Sequence, residues 1–331
     1  MRTCWVLDHP AHVRLLAEVM RAGSASDLIV ACERSEVRAM IEAGEGRLPR
    51  RQTWWVPRPV GEGRYRKAMF RLRSVQRFIK QASKDGQGPV QRMVSVGAPL
   101  ELMAVKPRWW RRSTITQRWY ITDTEVNHTA HRLARKAATD VVIPTHWRDD
   151  LDGDFLASFK GQVHHLDGLH GHVHLAPHRR PSKVSNPPRV LVRRLLGDGI
   201  HDDKELVDLP DDALDGVVVT SADEAAYEGS PWNLDRELAA HDGIITQSVT
   251  LASEAALLGT PTLLISMAER GFLDRLERDG APLFRWRGGN DESEWGSVHA
   301  QFLAGLHLTD ALEPAEWPDA KSDFSSLFNS Q

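Results

Sequence analysis

An α/β protein of two parallel-sheet domains is what this 331-residue sequence predicts, and three observations carry the prediction. Apolar runs of four or five residues alternate with helical stretches from Thr3 to Ser266, as strands buried on both faces between crossover helices do. A proline-rich break at Pro177-His-Arg-Arg-Pro-Ser-Lys-Val-Ser-Asn-Pro-Pro188 separates these runs into two sets. The charge divides at the same place: residues 1–180 hold 30 Lys and Arg against 18 Asp and Glu, while residues 181–331 hold 12 against 27. Each half then reads as a Rossmann-like, doubly wound sheet, with domains at 1–180 and 181–310 and a tail at 311–331.

The first half begins with a strand at Thr3–Leu7 and a helix from Ala11 to Ala22, whose Val13, Leu16 and Met20 share one face. Leu28–Cys32 and Ser35–Ala43 repeat the pattern, and Thr53–Val56 is a third strand. A helix over Tyr65–Ala82 aligns Ala68, Leu72, Val75 and Ile79 and leaves a basic outer face, including Arg66, Lys67, Arg71, Arg73, Arg77 and Lys80. That face suits plain solvation or attraction to a membrane surface. Met93–Val96 is the next strand, and Gly97-Ala-Pro99 turns into a helix ending near Val105. The following Trp109-Trp110-Arg-Arg112 fits an interfacial loop, a structural loop with buried rings or, with least support, single-stranded nucleic acid. Trp119–Thr122, a helix over Thr124–Ala138, Val141–Pro144 and Val163–Leu166 complete this half.

In the second half, Arg189–Arg193, Gly216–Thr220, Gly243–Thr246 and Thr262–Ser266 are strands. A helix over Thr250–Leu258 ends at Gly259 before Pro261, since glycine accepts left-handed geometry and proline cannot continue a helix. No apolar run approaches the ~18 residues of a membrane span. The polar start argues against a signal peptide, so a cytoplasmic protein, free or peripheral at the membrane surface, is expected. Cys4 and Cys32 both lie within strands and read as core thiols, with no disulfide framework or cysteine metal spacing.

Doubly wound sheets bind ligands at the carboxyl ends of their strands, and two such domains facing each other would form a cleft there. Asp8, His9 and His12 follow the first strand, and Asp123 and Glu125 the fifth. Arg193, Gly197, Gly199 and His201 follow the first strand of the second domain, and Ser248, Thr250 and Glu254 a later one. His9 and His12 fit either acid–base chemistry or a hydrogen-bonded helix start, Asp123 either an acid or a helix cap, and Arg193 either an anion site or a surface ion pair. The histidines at 164, 165, 170, 172, 174 and 178 invite a zinc reading, with 170, 172 and 174 alternating as on one strand face. Their irregular spacing favours a polar segment, and no metal site or cofactor is expected.

The segment Ser248-Val-Thr-Leu-Ala-Ser-Glu254-Ala-Ala-Leu-Leu-Gly259-Thr-Pro261 resembles the donor-nucleotide motif of GT-B proteins, among them the peptidoglycan N-acetylglucosaminyltransferase and the non-hydrolysing UDP-N-acetylglucosamine 2-epimerases. The resemblance implies phosphate contact near Ser248, ribose contact at Glu254 and closure by Gly259 and Pro261. Val249 and Thr250 replace a Gly-Gly pair of the epimerases, and Arg193-Arg-Leu-Leu-Gly-Asp-Gly199 replaces their His-Arg-Arg-Glu-Asn signature. The chain as a whole is similar to a largely archaeal GT-B-like family of unknown function over about residues 3–285. The landmarks are Asp8-His-Pro-Ala-His12-Val, Gly97-Ala-Pro99, Thr122-Asp-Thr-Glu125, Asp167-Gly168, Val190-Leu-Val-Arg193 and the Glu254 segment.

These resemblances imply a GT-B fold, a tail returning to the first domain, and transfer of a sugar from a nucleotide-sugar, in the first instance a UDP-sugar, to an acceptor. His12, His9 and Asp8 are then base candidates, Glu125 a second acid or base, and Arg193, Gly197, Gly199, Ser248, Thr250 and Glu254 the donor site. The basic half fits an anionic or lipid-linked acceptor, and nucleic acid is not expected. Epimerisation or hydrolysis of a UDP-sugar, and non-catalytic binding of a sugar nucleotide or polyanion, are the competing readings.

Overall fold

A computed structural model of the chain describes residues 1–44, 46–57, 63–107, 112–168, 170–175, 184–195, 206–221, 230–289, 292–307 and 319–329. The chain divides into two compact units, Met1–His174 with Asp319–Gln331, and Leu175–Pro318.

In the first unit the strands are β1 (Thr3–Leu7), β2 (Leu28–Cys32), β3 (Gln52–Val56), β4 (Arg92–Val96), β5 (Gln117–Ile121), β6 (Asp140–Pro144) and β7 (Gln162–Leu166). They form one parallel sheet in the order β3-β2-β1-β4-β5-β6-β7. The helices are α1 (Pro10–Met20), α2 (Ser35–Ala43), α3 (Arg64–Ala82), α4 (Leu100–Val105), α5 (His128–Ala137), α6 (Phe155–Ser158), α7 (His170–His174) and, from the C-terminus, α12 (Ala320–Asn329). Cys4 and Val6 of β1 pack on one face with Val75, Phe78, Leu102 and Ala134 from α3, α4 and α5. Trp5 points to the opposite face, where its ring meets Phe328 of α12 at 5.7 Å. Helices on both faces explain why β1, β2 and β4 are buried along their whole length.

The C-terminal helix is fastened to this unit by three kinds of contact. Arg92 donates to the Phe328 carbonyl at 2.8 Å. The Phe328 ring lies 5.0 Å from that of Trp119, and Lys321 pairs with Glu18 at 2.6 Å.

Two expected elements change. The helix expected from Thr124 begins at His128, because the Thr122 hydroxyl accepts from the Thr124 N–H at 3.3 Å and Asn127 caps the helix through the Ala130 N–H. Short hydroxyl and amide side chains offer the backbone these local partners in place of helix bonds. The alternating histidines 170, 172 and 174 lie on the short helix α7, which packs with α1 and α12, rather than on one face of a strand.

The second unit has β8 (Arg189–Arg193), β9 (Val218–Ser221), β10 (Gly243–Thr246), β11 (Thr262–Ile265) and β12 (Leu283–Trp286), parallel in the order β12-β11-β10-β8-β9. Its described α-helices are α8 (Leu234–Ala239), α9 (Val249–Leu257), α10 (Gly271–Arg278) and α11 (Glu292–Leu306). Leu238, Leu251, Ala255 and Leu258 pack with Leu191 and Ile244 of the sheet, while Phe302 and Leu306 of α11 pack with Val190, Val192 and Ile245. Gly259 ends α9 at φ +77°, as its place before Pro261 predicts. No described helix is long and apolar enough to cross a membrane.

One core residue gives the first unit an acid sensitivity. His131 is 2% exposed and stacks on Phe155 at 4.3 Å. Burial, helped by the His128 charge, pushes its imidazole down to about 4. The unfolded chain takes up a proton near the ordinary histidine value while the folded chain resists it, so stability is full above that value and falls as pH drops toward 4. The loss by pH 4.5 is expected to be about 2–3 kcal/mol. Denaturant midpoints at the two pH values, with His131→Phe as the comparison, check this. The variant should lose less on acidification, and an equal loss would move the effect to another group.

Candidate functional site

The first sheet reverses its order of addition between β1 and β4, so the loops after these strands face a crevice at their carboxyl ends. Asp8 follows the last residue of β1. His9 caps α1, its Nδ1 accepting from the Ala11 N–H at 3.2 Å, with Pro10 opening the helix. The His12 ring lies 5.7 Å from that of His9. Gly97, directly after β4, has φ +60°, and a Cβ there would stand 3.7 Å from His12 Nε2. That distance is ordinary contact, so it is the left-handed backbone at 97 that calls for glycine.

Electrostatics then sort these groups. Burial, together with the neighbouring His9, pushes the His12 imidazole down to about 3, so it is neutral at ordinary pH. Burial would raise Asp8, but the Arg71 guanidinium 2.7 Å away holds it below the usual carboxylate range. The same guanidinium pairs with Glu101, which is fully buried; burial and the charge of Asp8 raise the Glu101 carboxyl. Asp123, two residues beyond β5, lies 3.1 Å from His170 Nδ1 on α7. Burial acts against its charge, yet His170 and the Thr124 hydroxyl hold it far below the ordinary range. His170 Nε2 is buried with no hydrogen-bond partner among the described residues.

Asp8, His9, Asp123 and His170 all act electrostatically on His12, so they form one cluster around it. A carboxylate on Nδ1 fixes the histidine tautomer and leaves Nε2 to take a proton, the arrangement of a general base with its orienting acid. Glu125 follows the same strand as Asp123. It is buried, and its Oε1 accepts the Arg148 backbone N–H at 3.2 Å, which fastens the loop after β6.

The second sheet has its own reversal between β8 and β10. Arg193 ends β8 and pairs in register with Thr246, the last residue of β10. The Thr246 hydroxyl donates to the Arg193 carbonyl at 3.2 Å and accepts the Ser248 N–H at 3.0 Å. Ser248 caps α9, its hydroxyl accepting from the Leu251 N–H at 3.4 Å. Thr250 is exposed on the first turn. Glu254 is 2% exposed, on the same buried side of α9 as Leu251 and Ala255, so a solvated role for it is excluded. Gly197, Gly199 and His201 lie outside the described residues.

Comparison with known proteins bears on the fold. No protein-family model and no curated protein matches the sequence. Among solved structures, the UDP-GlcNAc 2-epimerase of Methanocaldococcus jannaschii aligns over all of both chains at 10% identity with a TM-score of 0.63. The S. aureus MnaA structure with UDP aligns over all of this chain and 96% of that one, at 8% identity and a TM-score of 0.66. Acinetobacter baumannii MurG aligns over all of both chains at 11% identity with a TM-score of 0.53. The chain has the GT-B fold.

Within this GT-B chain, several polar residues organise the crevice of each domain in ways that spacing alone does not show. Arg71 belongs by composition with the basic residues of α3, yet it stands three residues after Ala68 and four before Val75, at the border of the apolar stripe. Asp123 is neither a helix cap nor isolated, since Asn127 caps α5 and Asp123 pairs with His170. Gln247 went unnoticed: its Oε1 accepts the Leu195 N–H at 3.0 Å and its Nε2 donates to the Val207 carbonyl at 2.7 Å, tying the chain after β8 to the turn before α9. The histidine patch disperses. His164 pairs with Asp140 at 3.0 Å and stacks on Trp119, while His170 belongs to the Asp123 pair. Among the described residues, no three His, Cys, Asp or Glu side chains are grouped to hold a metal ion.

Proposed function

We propose that this GT-B protein binds a nucleoside diphosphate sugar, a UDP-sugar in the first instance, through its second domain and transfers the sugar to an acceptor bound by its first. The observation that carries the reading is the second sheet's reversal point. There Arg193, the Ser248-capped start of α9 and the buried Glu254 gather at the carboxyl ends of β8 and β10. Arg193 and the positive end of α9 suit a diphosphate as charge develops on it, and Glu254 suits the two ribose hydroxyls.

In the first domain the cluster around His12 supplies the acid–base partner. His170, oriented by ionised Asp123, takes the proton of an acceptor hydroxyl through Nε2. The acceptor oxygen then attacks the anomeric carbon, and the bond from that carbon to the diphosphate oxygen breaks. Neutral His12 beside it hydrogen-bonds the acceptor, since a nitrogen so hard to protonate is a poor base. The net positive first domain favours an anionic acceptor, a lipid-linked one included. Epimerisation of the same donor is the second reading, favoured by the alignment with the M. jannaschii structure.

Calorimetric titration with UDP, GDP, CDP and UDP-sugars tests the donor site. Glu254→Gln keeps the side chain's size but removes its charge, and is expected to weaken the preferred nucleotide by roughly 10–100-fold. Equal binding by both proteins would remove Glu254 from the site. No binding of any nucleotide by the unmutated protein would remove the donor reading altogether.

A further inference from the structure

Helix α3 carries seven Lys and Arg and no Asp or Glu over its 19 residues. Arg71 is drawn inward to Asp8 and Glu101. The others divide by position, and Arg66, Phe70, Arg73, Arg77 and Lys80 recur at alternating spacings of four and three residues, all of them exposed. At 100° per residue these five fall within an arc of about 80°, a single stripe roughly 21 Å long. Among the described residues no ion pair neutralises Arg73, Arg77 or Lys80, whereas Arg2, Arg38 and Arg285 elsewhere each have carboxylate partners. Like charges at these spacings repel one another, and nothing in the helix offsets that cost.

The stripe also holds an apolar ring out in water. Phe70, in its middle, is 46% exposed, one of the few large exposed hydrophobic side chains described. Cations in a row with an aromatic ring among them match a surface with anionic headgroups above an apolar phase. Lysine and arginine meet the headgroups while the Phe70 ring enters the boundary beneath. A nucleic-acid duplex presents phosphates but no apolar phase for Phe70 to enter. We propose that the exposed stripe of α3 is a docking surface for anionic lipid bilayers, with the helix lying in the plane of the headgroups. This surface does not depend on which donor the second domain takes.

The test is sedimentation of the full-length protein with vesicles of phosphatidylcholine and phosphatidylglycerol in a two-to-one ratio, and with vesicles of phosphatidylcholine alone, at low and physiological salt. The expected result is binding to the mixed vesicles only, weakened by salt. Arg73→Glu/Arg77→Glu/Lys80→Glu, with an unchanged circular dichroism spectrum and melting temperature, should reduce that binding by at least about 100-fold. Phe70→Ser, which leaves the charge untouched, should weaken it by about 10-fold. Absence of binding to the mixed vesicles at low salt would overturn the proposal, as would full binding by the folded triple variant. Unchanged vesicle binding by Phe70→Ser, together with full competition by duplex DNA, would make the stripe a general polyanion site and would equally overturn the lipid assignment.

Discussion

Arg71→Met is expected to destabilise the first domain by about 3–5 kcal/mol, the cost of leaving a buried ion pair without its cation. Glu101 is fully buried, and Arg71 is the charge that makes its ionised form tolerable. Asp8 depends on the same guanidinium at 2.7 Å. Chemical denaturation at neutral pH measures the loss, and the double variant Arg71→Met/Glu101→Gln should recover much of it, because an amide needs no counter-charge. The pH dependence has a definite sign. Without Arg71 the Glu101 carboxyl is raised further above its unfolded value, so the folded variant holds a proton that the unfolded chain releases. Its deficit should therefore shrink as pH is lowered and grow as pH rises. A deficit that is small and independent of pH would show that Glu101 is already protonated in the intact protein.

His170→Ala is expected to lower turnover by roughly 10²–10⁴-fold, the usual worth of a positioned proton acceptor, while leaving nucleotide affinity unchanged. The expectation rests on the 3.1 Å contact between Asp123 and His170 Nδ1 and on the absence of a described partner for Nε2. Release of nucleoside diphosphate from the sugar nucleotide preferred in calorimetry, with and without added acceptors, provides the readout. Asp123→Asn should approach the same loss, since an amide can stabilise the wrong tautomer of the ring. A full loss in His12→Ala with normal turnover in His170→Ala would transfer the base role to His12. Because nucleotide affinity is followed separately in the second domain, a failed donor site and a misassigned base give different results.

Much of the fold is written locally. Strands of a doubly wound sheet are buried on both sides, so β1, β2 and β10 stand in the sequence around short contiguous apolar runs. The stop at Gly259 and the serine cap at Ser248 are likewise local events of one or two hydrogen bonds. Where side chains compete with the backbone, local reading fails by a turn. Thr122 and Asn127 delay α5 to His128 although the sequence from Thr124 is compatible with helix. The run at 170–174 failed differently. Five residues alternating His with Gly and Val satisfy either period, and packing against α1 and α12 selects the helix.

By itself, then, the sequence determined the α/β class, the succession of most strands and helices, and the placement of Asp8, Arg193 and Ser248 at carboxyl ends of strands. Burial of apolar surface and capping act over a few residues and leave their mark in spacing. Only the tertiary structure decided the strand order, the sharing of Arg71 between Asp8 and Glu101, the pairing of Asp123 with His170, and the burial of Glu254. A charged side chain finds its partner wherever the crossover connections bring one, and burial in low dielectric makes that partnership decisive for its protonation state. No spacing rule records it, because the partners lie on different strands and helices and meet only once the sheet has been assembled.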